Sequence, residues 1–327
     1  MPTTQVPLLF GCANFGPVGA PAVRNSDPVA AQKILDVFFS HGHHELDVAR
    51  RYAGGQAEPF LANLDIGGKA TVDTKVAPIG DPGAHKPENL RRIFHESLSH
   101  FRPRGIKIRV LYLHAPDRSV PYEETVAELD KMYKEGLFEQ FGLSNYTAWE
   151  VAEIWTICKE RGYILPTIYQ GGYNLLARTL EPELIPCLHK FGIRLVVYNP
   201  LAGGMLTGKF LSLADAANAE KGSRFNKDTP GPYKQWYMND ISIQAVKMIH
   251  EAAAKEQLTS TEVALRWLQH HSVLRAGIDG VILGASSATQ LESNIVDSEK
   301  GPLPDAILQA IEDAWRLVMP VAAKYYV

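Results

Sequence analysis

Apolar and polar positions follow two rhythms along this chain. Short runs rich in β-branched and aromatic residues predict strands over residues 6–11, 44–47, 70–75, 109–114, 138–144, 167–170, 194–199 and 280–284. Between them, apolar residues recur every three or four positions. That spacing predicts helices over 28–41, 87–101, 122–134, 148–161, 180–190, 241–256, 260–271, 288–297 and 304–318. Val110-Leu111-Tyr112-Leu113 is apolar on both faces, the pattern of a parallel strand covered by helices. Ser26-Asp27-Pro28 and Thr259-Ser260-Thr261-Glu262 supply helix starts.

Strand-helix alternation of this length fits either a closed parallel barrel or a doubly wound open sheet. Polar or special residues stand at the C-terminal end of nearly every strand: Asp47, Lys75, His114, Ser144, Asn145, Gln170, Tyr198, Asn199 and Gly284. In a barrel those ends converge on one rim. An open sheet scatters them along an edge, at about 4.8 Å per strand. The pattern therefore predicts an α/β fold, a single (β/α)8 TIM barrel over residues 1–327 with long rim loops and an extra C-terminal helix. No linker or low-complexity tract divides it. The one long irregular stretch, 211–240, follows the seventh strand and is placed to cover the rim, with a helical turn expected near 213–219.

Composition narrows the function classes. With 46% hydrophobic and 21% charged residues the chain is of ordinary globular make-up. A net charge of −3 gives no global attraction for nucleic acid or an anionic membrane. Residues 1–16 lack a signal-peptide pattern, and no apolar run reaches membrane-spanning length. Cys12, Cys158 and Cys187 are too few and too scattered for a disulfide framework, which points to the cytoplasm. His41, His43, His44, His270 and His271 carry no metal-ligand spacing, so no metal is expected.

Asp47, Tyr52, Lys75 and His114 end or closely follow three successive strands. Taken singly, each has a plainer role: a turn cap, a half-buried aromatic, a solvated charge, a core histidine. Together they form a general-acid device. A tyrosine hydroxyl titrates near about 10; a neighbouring ammonium lowers that value, and a carboxylate holds the ammonium charged. A neutral histidine orients a carbonyl oxygen as negative charge develops there.

The ordered stretches around these residues are Glu45-Leu46-Asp47 with Tyr52, Tyr112-Leu113-His114-Ala115-Pro116-Asp117 and Gly142-Leu143-Ser144-Asn145-Tyr146. Tyr198-Asn199-Pro200-Leu201-Ala202-Gly203-Gly204-Met205-Leu206-Thr207-Gly208-Lys209, Ala264-Leu265-Arg266-Trp267 and Val281-Ile282-Leu283-Gly284 extend them. With these stretches the chain resembles the aldo-keto reductases over almost its whole length, and within them the branch of aflatoxin aldehyde and succinic semialdehyde reductases. The resemblance implies NADPH-dependent reduction of a small carbonyl substrate. Tyr52 would be the proton donor, Lys75 and Asp47 its tuning pair, and His114 the carbonyl-orienting group.

The resemblance also implies a nicotinamide on the face of Tyr198, with Asp47, Ser144, Asn145 and Gln170 around it. Asn199, Pro200, Leu201, Gly203 and Lys209 would follow the pyrophosphate. Gly284, Ser286, Gln290 and Asn294 would approach the adenosine end, and Lys209 and Arg224 would meet a 2′-phosphate. No Gly-x-Gly-x-x-Gly follows a strand, so binding of the Rossmann kind is not implied. Phe210 and Trp236, with Phe15, Tyr52, Phe225 and the terminal tyrosines, suggest an aromatic substrate pocket. A homodimer is an expectation of the same branch.

Departures from the branch bear on specificity. A terminal arginine that pairs with a substrate carboxylate is replaced here by Lys324-Tyr325-Tyr326-Val327, so weak preference for acidic aldehydes is expected. Asp73 shares a strand face with Lys75 and either competes for its ammonium or sits apart. Two other functions stay open. One is a nicotinamide-sensing or partner-binding barrel, as the potassium-channel β-subunits resemble. The other is a Schiff-base lyase using Lys75.

Overall fold

In the computed structural model, which describes residues 3–78, 82–220, 222–229 and 231–327, eight parallel strands close into one barrel in the order β1 to β8. They are β1 (Leu8–Gly11), β2 (Glu45–Asp47), β3 (Thr71–Val76), β4 (Ile108–Leu113), β5 (Gln140–Ser144), β6 (Pro166–Gly172), β7 (Arg194–Tyr198) and β8 (Gly280–Leu283). Closure rests on β1 pairing with β8, Leu9 standing opposite Ile282. The predicted strands hold to within two residues at every end.

Helices α1 (Pro28–Ser40), α2 (Ala57–Ala62), α3 (Pro87–Phe101), α4 (Tyr122–Lys134), α5 (Ala148–Arg161) and α6 (Leu184–Lys190) return the chain between the first seven strands. The long rim segment carries α7 (Leu213–Ala217) and α8 (Tyr233–Tyr237); its Lys221 and Pro230 lie outside the described residues. Then come α9 (Asp240–Lys255), α10 (Ser260–His270), α11 (Ala288–Glu299) and the C-terminal α12 (Asp305–Val318), which packs along α9. Cap chemistry sets the starts. Asp27 accepts from the Val29 and Ala30 N–H groups ahead of Pro28, Thr147 and Glu150 form a capping box, and Thr259 accepts from Glu262 N–H.

Two apolar layers result. Outward-facing strand residues join the helices in the main core, and Leu9, Val110, Tyr112, Ile168, Val196 and Ile282 fill the lumen beneath Tyr198. Below them lies an ionic floor, and it settles where Asp73 belongs. Asp73 is fully buried and takes two bonds from Arg109, Nε–Oδ1 at 2.9 Å and Nη2–Oδ2 at 2.5 Å. Arg109 also meets Glu45 at 2.7 Å, and Arg194 meets Glu45 at 3.1 Å. Asp73 thus does not compete for Lys75.

The histidines serve the frame. His41 caps α1 and meets Glu292 at 3.0 Å, His44 bonds the Lys69 carbonyl, and His270 bonds the Lys300 carbonyl. No helix among the described residues is long and apolar enough to cross a membrane.

Candidate active site

The C-terminal ends of β2, β3 and β4 bring four side chains together. Lys75 is fully buried, and its Nζ donates to both Asp47 oxygens at 2.7 Å and to the Val48 carbonyl at 2.9 Å. The same Nζ stands 3.5 Å from Tyr52 Oη. The Tyr52 ring meets the His114 ring edge-on, centroids 5.7 Å apart. Strand ends place Asp47 and Lys75. Tyr52 instead comes in on a tight turn just after β2, spanning Tyr52–Gly55.

The electrostatics follow from burial. Burial lowers the Lys75 pKa, but Asp47 and Tyr52 raise it more, so Lys75 stays an ammonium with its pKa above the ordinary value. For Tyr52 the sequence argument expects a lowered pKa. The net direction is upward, because burial outweighs the pull of Lys75. Tyr52 therefore carries its proton at neutral pH. Burial, with Lys75 and Arg51 nearby, holds the His114 pKa well below the usual histidine range, and its ring is neutral.

The next three strand ends add a polar wall. Gln170 Nε2 donates to Asp47 Oδ1 at 2.7 Å, a second hold on the carboxylate that no local pattern reveals. Asn145 donates to the His114 carbonyl at 2.8 Å and to Ser144 Oγ at 3.0 Å, and it accepts from Tyr198 Oη at 3.0 Å. Asn145 and Asn199 both sit at positive φ, 65° and 60°, a region asparagine tolerates better than most residues. Asn199 Oδ1 accepts from Tyr233 Oη at 3.1 Å. Beyond it, Pro200 and Leu201 are buried, Gly203 lies in a 3-10 turn (Ala202–Thr207), and Lys209 is exposed.

At the far side of the rim, Gly284 is exposed, and Gln290 Oε1 accepts from Ser286 N–H at 2.8 Å and from Ser286 Oγ at 3.0 Å. Asn294 is buried and its Nδ2 has no partner among the described residues. Asn14 and Asn25 both donate to the Ala285 carbonyl, at 2.8 and 3.2 Å. Sequence reasoning misses these two, since only closure of β8 on β1 brings their loop there. Arg224 stacks on the Tyr233 ring, 5.2 Å from its centroid.

A cavity of about 340 Å³ opens beside this wall, lined by Asn145, Tyr198, Trp236, Tyr237, Lys324 and Tyr326 among others. Trp236, Tyr325 and Tyr326 of the expected aromatic pocket line it. Phe210 does not. It is buried edge-on against Phe225, 4.9 Å between centroids, and Phe15 is likewise part of the core. All three rings were more valuable to packing than to a solvent-facing wall. The segment after α12 folds over the cavity, held by Thr179 Oγ1 to the Ala323 carbonyl, Tyr325 Oη to Glu183, and Val327 N–H to the Asn145 carbonyl. Lys324 Nζ lies over the Tyr326 ring at 5.4 Å.

Comparison with known proteins gives this geometry a context. The sequence model described as "Aldo/keto reductase family" matches residues 7–316. An aldo-keto reductase of Pseudocercospora fijiensis is 40% identical, over 90% of this chain and all of its own. Aflatoxin B1 aldehyde reductase member 2 of Mus musculus is 39% identical over 93% of this chain and 84% of its own. Aldo-keto reductase family 7 member A3 of Homo sapiens is 39% identical over 93% of this chain and 94% of its own.

Proposed function

Since the chain belongs to the aldo/keto reductase family, we propose that it reduces small aldehydes or ketones to alcohols with NADPH, Tyr52 giving the proton. The observation that carries this is one ammonium, Lys75, held by both oxygens of Asp47 at 2.7 Å and set 3.5 Å from the Tyr52 hydroxyl. The name aflatoxin B1 aldehyde reductase, borne by relatives 39% identical, supports an aldehyde as substrate.

The residues present fit a dinucleotide. Asn294 keeps a buried donor unused, and Lys209 has no carboxylate within ion-pair distance among the described residues. Tyr198 lines the cavity and would take the nicotinamide on its ring, with Ser144, Asn145 and Gln170 holding the carboxamide. Asn199, Pro200, Leu201, Gly203 and Lys209 would hold the pyrophosphate, and Gly284, Ser286, Gln290 and Asn294 the adenosine end. Lys209 and Arg224 would favour the 2′-phosphate. Gln290 holds Ser286 through its Oε1, while Asn294 keeps its Nδ2 unpaired among the described residues. Bound NADPH supplies the hydride that reduces the carbonyl carbon.

The chain's own groups handle the proton. Tyr52 is protonated at neutral pH and delivers to the carbonyl oxygen as charge develops there. The Lys75 ammonium then stabilises the phenolate, and Asp47 with Gln170 keeps that ammonium in place. His114, being neutral, offers a ring N–H to the same oxygen without adding a charge. Trp236, Tyr326 and Lys324 border the space for the rest of the substrate.

Turnover of 4-nitrobenzaldehyde, followed through NADPH absorbance, tests the reading. Tyr52→Phe is expected to lower kcat by about 10²- to 10⁴-fold with NADPH affinity within about 3-fold of wild type. Unchanged turnover in that variant would remove Tyr52 from the role. No NADPH binding by the wild type would overturn the whole reading, and equal use of NADH would overturn the cofactor preference.

A further inference from the structure

The turn that brings Tyr52 to Lys75 is strained. Ala53, Gly54 and Gly55 lie in succession at φ of 53°, 63° and 91°. The two glycines enter this region freely, so the strain sits at Ala53, and a strained residue persists only where its surroundings over-determine it. Arg50 does this from one side. Its backbone N–H donates to the Lys75 carbonyl at 3.2 Å, and its Nη1 donates to the Gly55 carbonyl at 2.8 Å, closing the loop around Tyr52.

Glu58 stands just beyond, in the first turn of α2, with no exposed surface. One of its oxygens faces Arg50 Nη1 at 3.5 Å, and the other accepts from Thr74 Oγ1 at 2.5 Å. Thr74 directly precedes Lys75. Strand alternation turns Thr74 out towards the helices as it turns Lys75 into the lumen. Burial pushes the Glu58 carboxyl up, while the Thr74 and Ser97 hydroxyls and Arg50 act the other way. A buried carboxylate needs such partners, and the proton chemistry above makes no use of this one.

We infer that Glu58 is a positioning residue: it ties the Tyr52 loop, through Arg50, to strand β3, through Thr74, and so sets the separation of Tyr52 Oη and Lys75 Nζ. The inference rests on the roles proposed for Tyr52 and Lys75. Glu58 is not among the residues lining the cavity, so its loss acts on kcat rather than on KM. A misplacement of about 1 Å at a reacting group costs up to about 10²-fold in rate.

Thr74→Val removes one hydroxyl at nearly constant volume, and Thr74→Ser keeps it. Expected are a kcat about 10-fold lower for Thr74→Val, about 10- to 100-fold lower for Glu58→Ala, and wild-type kcat for Thr74→Ser. KM and NADPH affinity should stay within about 3-fold, and the double variant should be no slower than Glu58→Ala alone. The alkaline limb of kcat should move to higher pH in Thr74→Val, because a more distant ammonium lowers the Tyr52 pKa less. General structural damage would not move that limb. Should Glu58→Ala fail to fold, the Thr74 pair decides. Wild-type kcat in Thr74→Val, or an equal loss in Thr74→Ser, overturns the inference. If Tyr52→Phe is inactive while Thr74→Val is unaffected, this inference alone fails; if Tyr52→Phe keeps full turnover, both fail.

Discussion

Lys75 shows how much one residue carries. It has no exposed surface, and the Asp47 carboxylate more than offsets the burial that would otherwise strip its proton. A Schiff-base lysine must present a free amine. Lys75 presents an ammonium whose nearest partners are two carboxylate oxygens, a carbonyl and a phenol. Lys75→Met is expected to leave Asp47 buried with no cation, costing about 3–5 kcal/mol in urea unfolding, and to lower kcat at least about 10²-fold. A variant that keeps wild-type stability would show that the pair with Asp47 is not needed to hold the fold. Asp47, Lys75 and His114 were legible in the sequence because each ends or directly follows a strand. Tyr52 was legible as the residue closely following a strand, but the left-handed turn after it was not, since its three residues leave no periodic mark. Nor was the bond from Gln170 to Asp47, which spans the lumen from β6 to β2.

At the scale of elements, strands and long helices were readable where burial on a fixed period decides the outcome. The exceptions have local causes. The helix expected over 180–190 begins only at Leu184: Pro182 disfavours helical backbone at Glu181, and Arg178 holds that side chain at 2.8 Å in the preceding turn. Helices α2 and α8 are too short to show a period and owe their form to neighbours. For α8 the neighbour is Gly203, at φ 68°, where a Cβ would stand 2.5 Å from the Tyr233 ring. Gly203→Ala is therefore expected to push α8 outward. Trp236 on that helix lines the cavity, so KM for the aldehyde should rise about 10-fold, with stability lower by about 1–3 kcal/mol. Steady-state kinetics and thermal unfolding measure both. An unchanged KM would mean that α8 does not shape the substrate space.

The whole molecule places chemistry at one end of the barrel and an ion cluster at the other. The closed fold was legible from alternation and strand-end residues. The partner of Asp73 was not, because a register shift between Val72 and Asp73 decides how β4 presents Arg109. Glu45, Asp73, Arg109 and Arg194 join β2, β3, β4 and β7 with two negative and two positive groups. Burial raises the Asp73 carboxyl to about 7, with Arg109 pulling the other way. A carboxyl whose folded pKa exceeds its unfolded value, about 4, stabilises the fold below that value and loses this contribution as pH rises through the folded pKa. Arg109→Met removes the pull and raises the folded value further, so the loss continues to higher pH. The variant should be less stable than wild type by about 3–5 kcal/mol at pH 8, and by clearly less at pH 5, where Asp73 takes up its proton. Urea midpoints at the two pH values decide the matter. A deficit independent of pH would mean that Arg109 contributes packing and geometry to the floor, and no compensation of the Asp73 charge.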